Sequence, residues 1–294
     1  MLPLAPTPLI RLGNLFPRLE VYAKCEFLAP SGCFKIRGAV HLLEHLRRQG
    51  RTPQLIVPSM GNTALGAATA AKALGFGMTG VVPKTIARAK DEKLQALGVE
   101  LIKISGGGSD LLRHATELAQ ERGGYFVHPH LDPLWTDGYQ SIAAEIMQAL
   151  SGCRSLVFPL GGGGLLMGLQ AHLAKTAAQV RLFGCEPYNY PKYARFDHAR
   201  TTTMADGLLL EKPHPVVQQT IADNNITVAL VPEPDIGSAL REVFETQALV
   251  IEPSSAITLA FVKAHAAELE EPICVVLTGE NIAREDHRRL IAAA

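Results

Sequence analysis

Short, continuously apolar runs alternate with helix-forming stretches along most of this chain. That alternation limits the folds open to it more than any other feature. Gln54–Val57, Met78–Val82, Val99–Ile104, Ser155–Pro159, Gln179–Cys185, Ile226–Leu230 and Ile273–Leu277 read as strands. Between them, Thr63–Leu74, Ala87–Leu97, Ser109–Arg122, Leu165–Thr176, Asp235–Thr246 and Ser255–Leu269 have helix-forming composition. Strands that lack polar alternation are buried on both faces. Joined by helices, they build an α/β fold with parallel sheets covered on each side. Pro58, Pro83, Pro159 and Pro187 mark strand ends. There is no repeat, low-complexity tract or obvious linker, so two domains in 294 residues would share a cleft.

Composition narrows the function classes. Apolar residues make up 47% and charged residues 19%, which excludes a disordered chain. Lys plus Arg and Asp plus Glu are 28 each; that balance argues against nucleic-acid binding. No apolar run is long enough to span a bilayer. Met1–Ile10 holds three prolines and no basic cluster before an apolar stretch, so it does not read as a signal peptide. Cys25, Cys33, Cys153, Cys185 and Cys274 are scattered, odd in number and without metal-ligand spacing. They fit reduced thiols in a cytoplasmic protein, and no metal site is expected.

Four segments could carry chemistry. In Pro30–Ala39, Lys35 follows a Pro-Ser-Gly turn and sits between Phe34 and Ile36. Desolvation there would lower its pKa and suit it to form a Schiff base. On this segment alone, an ordinary solvated lysine at a helix start is the better reading. In Pro58–Thr63 a small polar turn opens a helix. Its free N–H groups suit a carboxylate or phosphate, while Ser59 or Asn62 could simply cap the helix.

The strongest local signal is Gly161-Gly162-Gly163-Gly164, between a strand and a helix. Four glycines are costly to order, and bare backbone can wrap an anion. Neither the dinucleotide fingerprint nor the P-loop fits: Leu166 or Met167 stands where the first needs glycine, and Leu169-Gln170 replaces the Lys-Ser/Thr of the second. The loop reads as a cup for a single phosphate. Side chains at Gly162 and Gly163 are expected to weaken cofactor retention far more than apo-protein stability. The fourth segment, Val275–Asn281, ends a strand in the Thr278 hydroxyl, and such ends meet the ligand cleft in parallel sheets. His128 and His130 flank a proline and read as structural or surface residues. Arg88, Lys90 and Lys93 read as a solvated face with Asp91 and Glu92.

In this order the segments resemble the fold-type II pyridoxal-5′-phosphate enzymes, in particular their serine/threonine dehydratase (ammonia-lyase) branch. The resemblance rests on Cys33-Phe34-Lys35-Ile36-Arg37-Gly38-Ala39, Ser59-Met60-Gly61-Asn62, the glycine cup and Cys185-Glu186-Pro187. Ala205-Asp206-Gly207, Glu252-Pro253-Ser254, Thr278-Gly279-Glu280-Asn281 and the opening Thr7-Pro8-Leu9 complete it, over essentially the whole chain. Each motif is weak alone; their ordered combination is specific.

The resemblance implies a tryptophan-synthase-β-like fold. Residues 1–37 and 138–294 would form a large cofactor-binding domain, with 38–137 inserted as a smaller one. It implies that Lys35 binds the cofactor and shuttles the Cα proton, that Phe34 packs beside the ring, and that Asn62 bonds the ring hydroxyl. Gly161, Gly162, Gly163, Gly164 and Leu165 N–H would hold the phosphate, and Thr278 the pyridine nitrogen. Ser59, Met60, Gly61 and Thr63 would take the substrate carboxylate. The implied activity is β-elimination of L-threonine or L-serine to a 2-oxo acid and ammonia, by a homodimer with no nucleic-acid or membrane partner. A β-replacing synthase of the cysteine synthase type is the alternative. A non-catalytic phosphate- or nucleotide-binding protein is another, and it leaves Lys35 and Thr278 unexplained. Cys33 and Glu280 depart from the family's serine and glycine. Met60 stands where serine racemases carry a hydroxyl, which disfavours racemisation. Tyr190 and Lys192 follow Glu186 where metal-binding relatives place acids, and no feedback-regulatory domain is expected.

Overall fold

The structure, a computed structural model, describes residues 4–195 and 201–293. Two sheets organise it. The first part of the chain runs β1 (Leu9–Arg11), β2 (Val21–Cys25), α1 (Lys35–Arg48), β3 (Leu55–Pro58), α2 (Asn62–Leu74), β4 (Met78–Pro83) and α3 (Arg88–Ala96). Then come β5 (Glu100–Ile104), α4 (Gly108–Arg122), β6 (Tyr125–Phe126), α5 (Pro133–Asp137), α6 (Gln140–Ala149), β7 (Ser155–Pro159) and α7 (Gly164–Thr176). The remainder is β8 (Arg181–Pro187), α8 (Pro215–Asp223), β9 (Thr227–Val231), α9 (Glu233–Gln247), α10 (Pro253–Ala264), β10 (Ile273–Leu277) and α11 (Arg284–Ala293).

Strands β5-β4-β3-β6 form a four-stranded, wholly parallel sheet. Strands β1-β2-β10-β7-β8-β9 form a six-stranded sheet, parallel except for the β1–β2 pair. Every residue of β3, β4, β7 and β10 is buried, as unbroken apolar runs require when helices cover both faces. The four prolines end β3, β4, β7 and β8. A proline ends a ladder cheaply because it has no N–H to leave unpaired.

Some elements depart from the sequence reading. β5 lies at a sheet edge with two of its five residues exposed, so it is not the buried strand expected. The helix expected over Ser255–Leu269 ends at Ala264, followed by a single 3₁₀ turn at Ala266–Glu268. The hairpin β1–β2 and the helices α5, α6, α8 and α11 carry no strong periodic signal. Buried Glu26, Lys24 and Arg37 interrupt the apolar pattern around the hairpin and α1.

The sheets are held together through helices. α1 and α2 pack closely because α2 is rich in Ala and presents Gly66, where a Cβ would lie 2.7 Å from the Lys35 carbonyl carbon. Gly38 and Gly138 perform the same service where α1 meets α5. One apolar core, including Ile36, Leu42, Leu65, Trp135, Tyr139, Phe158 and Leu166, runs continuously from one sheet to the other. Among the described residues, no helix is long and apolar enough to cross a membrane.

Candidate active site

Ligands in parallel α/β sheets gather at the carboxyl ends of strands. Here β3 ends at Pro58 and leads into Ser59–Thr63, β7 ends at Pro159 and leads into the glycine loop, and β10 ends at Leu277, just before Thr278. β7 and β10 are neighbours in one sheet, so the glycine loop and Thr278 emerge side by side. The start of α1 joins them: Phe34 N–H donates to the Thr278 carbonyl at 3.0 Å, and Cys33 bridges to Gly279.

Lys35 opens α1; among the described residues its ammonium has no hydrogen-bond or ion-pair partner, and its Nζ lies 4.7 Å from the Phe34 ring centroid. Phe34 in turn packs on Tyr139, with centroids 4.8 Å apart. Burial drops the Lys35 pKa to about 8, opposed only weakly by Cys33. The Cys33 thiol is pushed up to about 11, chiefly by burial, and stays protonated. Lys35 is therefore not the ordinary solvated lysine that its segment alone suggests.

Lys35 and Ser59–Thr63 line one cavity of about 360 Å³, walled on the far side by Asp206–Gly207 and Leu209–His214. The Ser59 hydroxyl accepts the N–H groups of Gly61 (2.9 Å) and Ala64 (3.0 Å), so it caps α2. Among the described residues, the N–H groups of Met60, Asn62 and Thr63 meet no acceptor and remain for an anion in the cavity. Capping and anion binding thus coexist in this turn.

The glycine loop lies behind His130. Among the described residues, none of the N–H groups of Gly161 to Leu165 donates to a protein acceptor, and they lie at the start of α7. That is an anion site in search of an anion, reinforced by the helix dipole. A Cβ on Gly162 would lie 2.2 Å from the His130 ring; on Gly163, whose φ is +89°, it would lie 2.4 Å from Val217. Side chains here collide with protein atoms as well as with an anion. The apo-protein should therefore lose stability too, contrary to the expectation that the cost falls mainly on cofactor retention.

Asn62 is already committed. Its amide donates to both oxygens of Glu252 (3.1 and 2.9 Å), and its Oδ1 accepts from Asn281 at 3.0 Å. Asn281 accepts from Lys93 at 2.7 Å. Thr278 is buried, with its hydroxyl 3.2 Å from the Ser255 hydroxyl; it can turn its proton toward a ring acceptor.

Two expectations for charged residues fail. Lys90 is not solvated: it is 3% exposed, bonded to Asp206 at 2.8 Å and 3.4 Å from Glu252. Burial opposes its charge, but Glu252 and Asp206 outweigh that and raise its pKa. Gly61, with φ +147°, makes this possible, because a Cβ there would lie 2.3 Å from the Lys90 stem. Burial pushes the Glu252 pKa up, and Lys90 opposes it. Lys90→Met leaves Glu252 buried beside Asp206 without its cation. It should lower stability by about 2–3 kcal/mol, read as a lower urea midpoint at pH 7; an unchanged midpoint would show that the pair is idle. The second failure is His130, which lines the cavity rather than sitting as a structural or surface residue. Glu186 is wholly buried, accepting from Lys192, Tyr193 and Ala194 N–H and paired with the Lys192 ammonium at 3.2 Å.

A desolvated lysine on an aromatic ring, a cup of free amides and a buried hydroxyl fit a cofactor with an aldehyde, a phosphate and a pyridine nitrogen. These are the features of an enzyme that works through pyridoxal 5′-phosphate. Residues 1–279 match the family described as pyridoxal-phosphate dependent enzyme, and the chain belongs to it. It is 31% identical over 272 residues to an L-threonine ammonia-lyase of Geobacter sulfurreducens, covering 90% of this chain and 68% of that one. To an L-threonine ammonia-lyase of Thermotoga maritima it is 30% identical over 270 residues, covering 90% and 67%. The processed form of threonine deaminase isoform 2 from Solanum lycopersicum superposes with a TM-score of 0.90 at 25% identity, over 99% of this chain and 84% of that one. The fold is thus that of the fold-type II enzymes.

Proposed function

We propose that the chain is a pyridoxal-phosphate-dependent ammonia-lyase acting on a small hydroxy amino acid, L-serine or L-threonine. The observation that carries this reading is the partnerless Lys35 in a cavity of about 360 Å³, facing a turn with three free N–H groups. The relatives named above support the same activity. The substrate loses its Cα proton and its β-hydroxyl as water. The enamine released then hydrolyses to a 2-oxo acid and ammonia, which returns the water.

When bound, pyridoxal phosphate supplies an electron-withdrawing ring that stabilises charge at Cα. The residues of this chain do the rest. The N–H groups of Met60, Asn62 and Thr63 hold the substrate carboxylate at the start of α2. Lys35 Nζ takes the Cα proton; with a pKa of about 8 it is a competent base near neutrality. Phe34 would back the ring, and the amides of Gly161–Leu165 would hold the phosphate. Asn62, fixed by Glu252 and Asn281, would lie by the ring hydroxyl. The Thr278 hydroxyl would donate to the pyridine nitrogen without protonating it, which would favour prompt expulsion of the β-hydroxyl. On this reading residues 38–137 form a smaller domain set against 1–37 plus 138–294. The working form is a cytoplasmic homodimer without nucleic-acid or membrane partners, and light scattering tests the dimer.

Oxo-acid release from L-serine, L-threonine and 3-hydroxyaspartate tests the activity. Release from serine or threonine is expected. Cysteine formed from an activated serine and sulfide, without oxo acid, would make it a β-replacing synthase instead. Thr278 gives a finer test. Thr278→Asp places a negative charge on the pyridine nitrogen and raises its pKa. Oxo-acid release should fall by about tenfold or more, while solvent deuterium enters Cα more often per turnover; Thr278→Ser should keep most activity. Unchanged elimination in Thr278→Asp would mean that Thr278 does not face the nitrogen.

A further inference from the structure

Three histidines that the mechanism does not use gather between the glycine loop and the cavity: His130 and His214 line the cavity, and His130 also abuts Gly162. His128 and His130 follow β6, and His214 precedes α8. Their ring centroids lie 6.0 Å (128–130), 5.6 Å (128–214) and 5.5 Å (130–214) apart. His128 is a brace: its Nδ1 accepts the N–H groups of His130 (3.3 Å) and Leu131 (3.1 Å), so that nitrogen carries no proton. His130 is placed differently. Its ring lies against Gly162, and its backbone carbonyl is 3.2 Å from where a Cβ of Gly164 would stand. One edge of the ring faces the cavity that Lys35 lines. Its Nδ1 is 3.4 Å from Nε2 of His214.

The groups whose charges act on His130 are Lys35, His214 and His128; none is a carboxylate. Burial first, and then these neighbours, hold its imidazole well below the ordinary range. The ring is therefore neutral at pH 7, with one N–H to give. Lys90, which with Lys212 is one of two further lysines lining the cavity, is already matched by Asp206 and Glu252. Five free backbone amides and a helix dipole carry only partial charge, whereas a phosphate monoester brings close to two negative charges.

The geometry points to His130 as a side-chain ligand of the cofactor phosphate, added to the backbone cup of Gly161–Leu165. His214 is its positioning residue, and the ligand class is a phosphate monoester. If His214 Nε2–H donates to His130 Nδ1, the proton of His130 sits on Nε2, the atom left for an anion. The inference rests on the phosphate-cup role proposed for the glycine loop. A dianion beside His130 opposes the desolvation that now keeps it neutral. Phosphate binding should therefore raise the His130 pKa from its depressed position, and the affinity gained from the phosphate should rise as pH falls toward it.

The test compares pyridoxal 5′-phosphate with pyridoxal, which reports the phosphate's contribution separately from the chemistry of Lys35. The full chain, freed of cofactor, is titrated with each while visible absorbance is followed, and melting temperatures check folding. His130→Phe should lose about tenfold to a hundredfold in preference for the phosphorylated form, with pyridoxal affinity unchanged. His130→Gln, which keeps an N–H, should recover most of the preference. His214→Leu should lose part of it and flatten its pH dependence, and His214→Gln should restore it. These variants carry the test even if His130→Phe does not fold. Unchanged preference in both His130→Phe and His214→Leu would overturn the inference and leave the proposed activity standing. An equal loss for pyridoxal would also overturn it, by making His130 a packing residue. A parent protein that binds neither compound would fail the cofactor site itself.

Discussion

Lys35→Met is expected to abolish oxo-acid release, with a loss of at least about 10³-fold, and yet to make the cofactor-free protein more stable. Both effects have one cause. The ammonium is desolvated and has no counter-ion, so burial lowers its pKa to about 8 from its unfolded value of 10.5. The unfolded chain binds the Lys35 proton more tightly than the folded one. Folding therefore bears the full cost below pH 8, and stability is regained as pH climbs from 8 toward 10.5. The difference between parent and Lys35→Met in urea unfolding should be about 3 kcal/mol at pH 7 and shrink above pH 8. A variant less stable than the parent at pH 7, or a difference that does not change with pH, would contradict this. Turnover measured on the same samples separates the chemical role from the structural cost.

Arg37→Met is expected to lower stability by about 3–5 kcal/mol, the largest loss for any single charged side chain considered. Arg37 sends Nε and Nη2 to Glu26 (2.7 and 2.8 Å), and Nη1 and Nη2 to Glu145 (2.6 and 2.8 Å). Ser141 and Thr7 complete the fan at 3.0 and 3.2 Å. Lys24 bonds Glu145 as well, so two cations and two carboxylates balance inside the protein. Glu26 is wholly buried. Removing Arg37 leaves it the Thr7 hydroxyl at 2.6 Å and, as its nearest cation, the more distant Lys24 at 3.8 Å. Arg37→Lys should recover little, since an ammonium cannot reproduce a planar fork with two bidentate partners. The check is the denaturant midpoint of each variant. A loss below about 1 kcal/mol would mean that the cluster is no more than an average surface ion network.

What could be read ahead of the structure was whatever local sequence decides. The glycine loop was legible because four consecutive glycines have few cheap alternatives, and Lys35 because ordered motifs around it agree. β3, β4, β7 and β10 were legible because strands buried on both faces must be apolar throughout. Lys90 was not, since Arg88, Asp91 and Glu92 beside it disguise one buried cation as a solvated face. Its burial depends on Asp206 and Glu252, 116 and 162 positions away, and on the slot left by Gly61. Arg37 stands inside a recognisable motif, but its partner Glu145 is 108 positions on. The commitment of Asn62 to Glu252 likewise spans 190 positions. His130 was misread because the intervening proline says loop, and nothing local tells that this loop covers the glycine cup. Periodicity reports one element's environment; ion pairs between distant elements leave no trace in it.

The place of β10 has a consequence for biosynthesis. It is the last strand among the described residues, yet it lies between β2 and β7 and pairs with both. Until residues 273–277 leave the ribosome, the β1–β2 hairpin has no neighbour on its inner side and β7 keeps a bare edge. Both are apolar templates for wrong pairing while synthesis continues. The closing strand also delivers Thr278, and through it the backbone bond to Phe34. Protection of the sheet and placement of Thr278 thus arrive together once residues 273–277 have emerged, and a nascent chain stalled before Ile273 would present both hazards to chaperones.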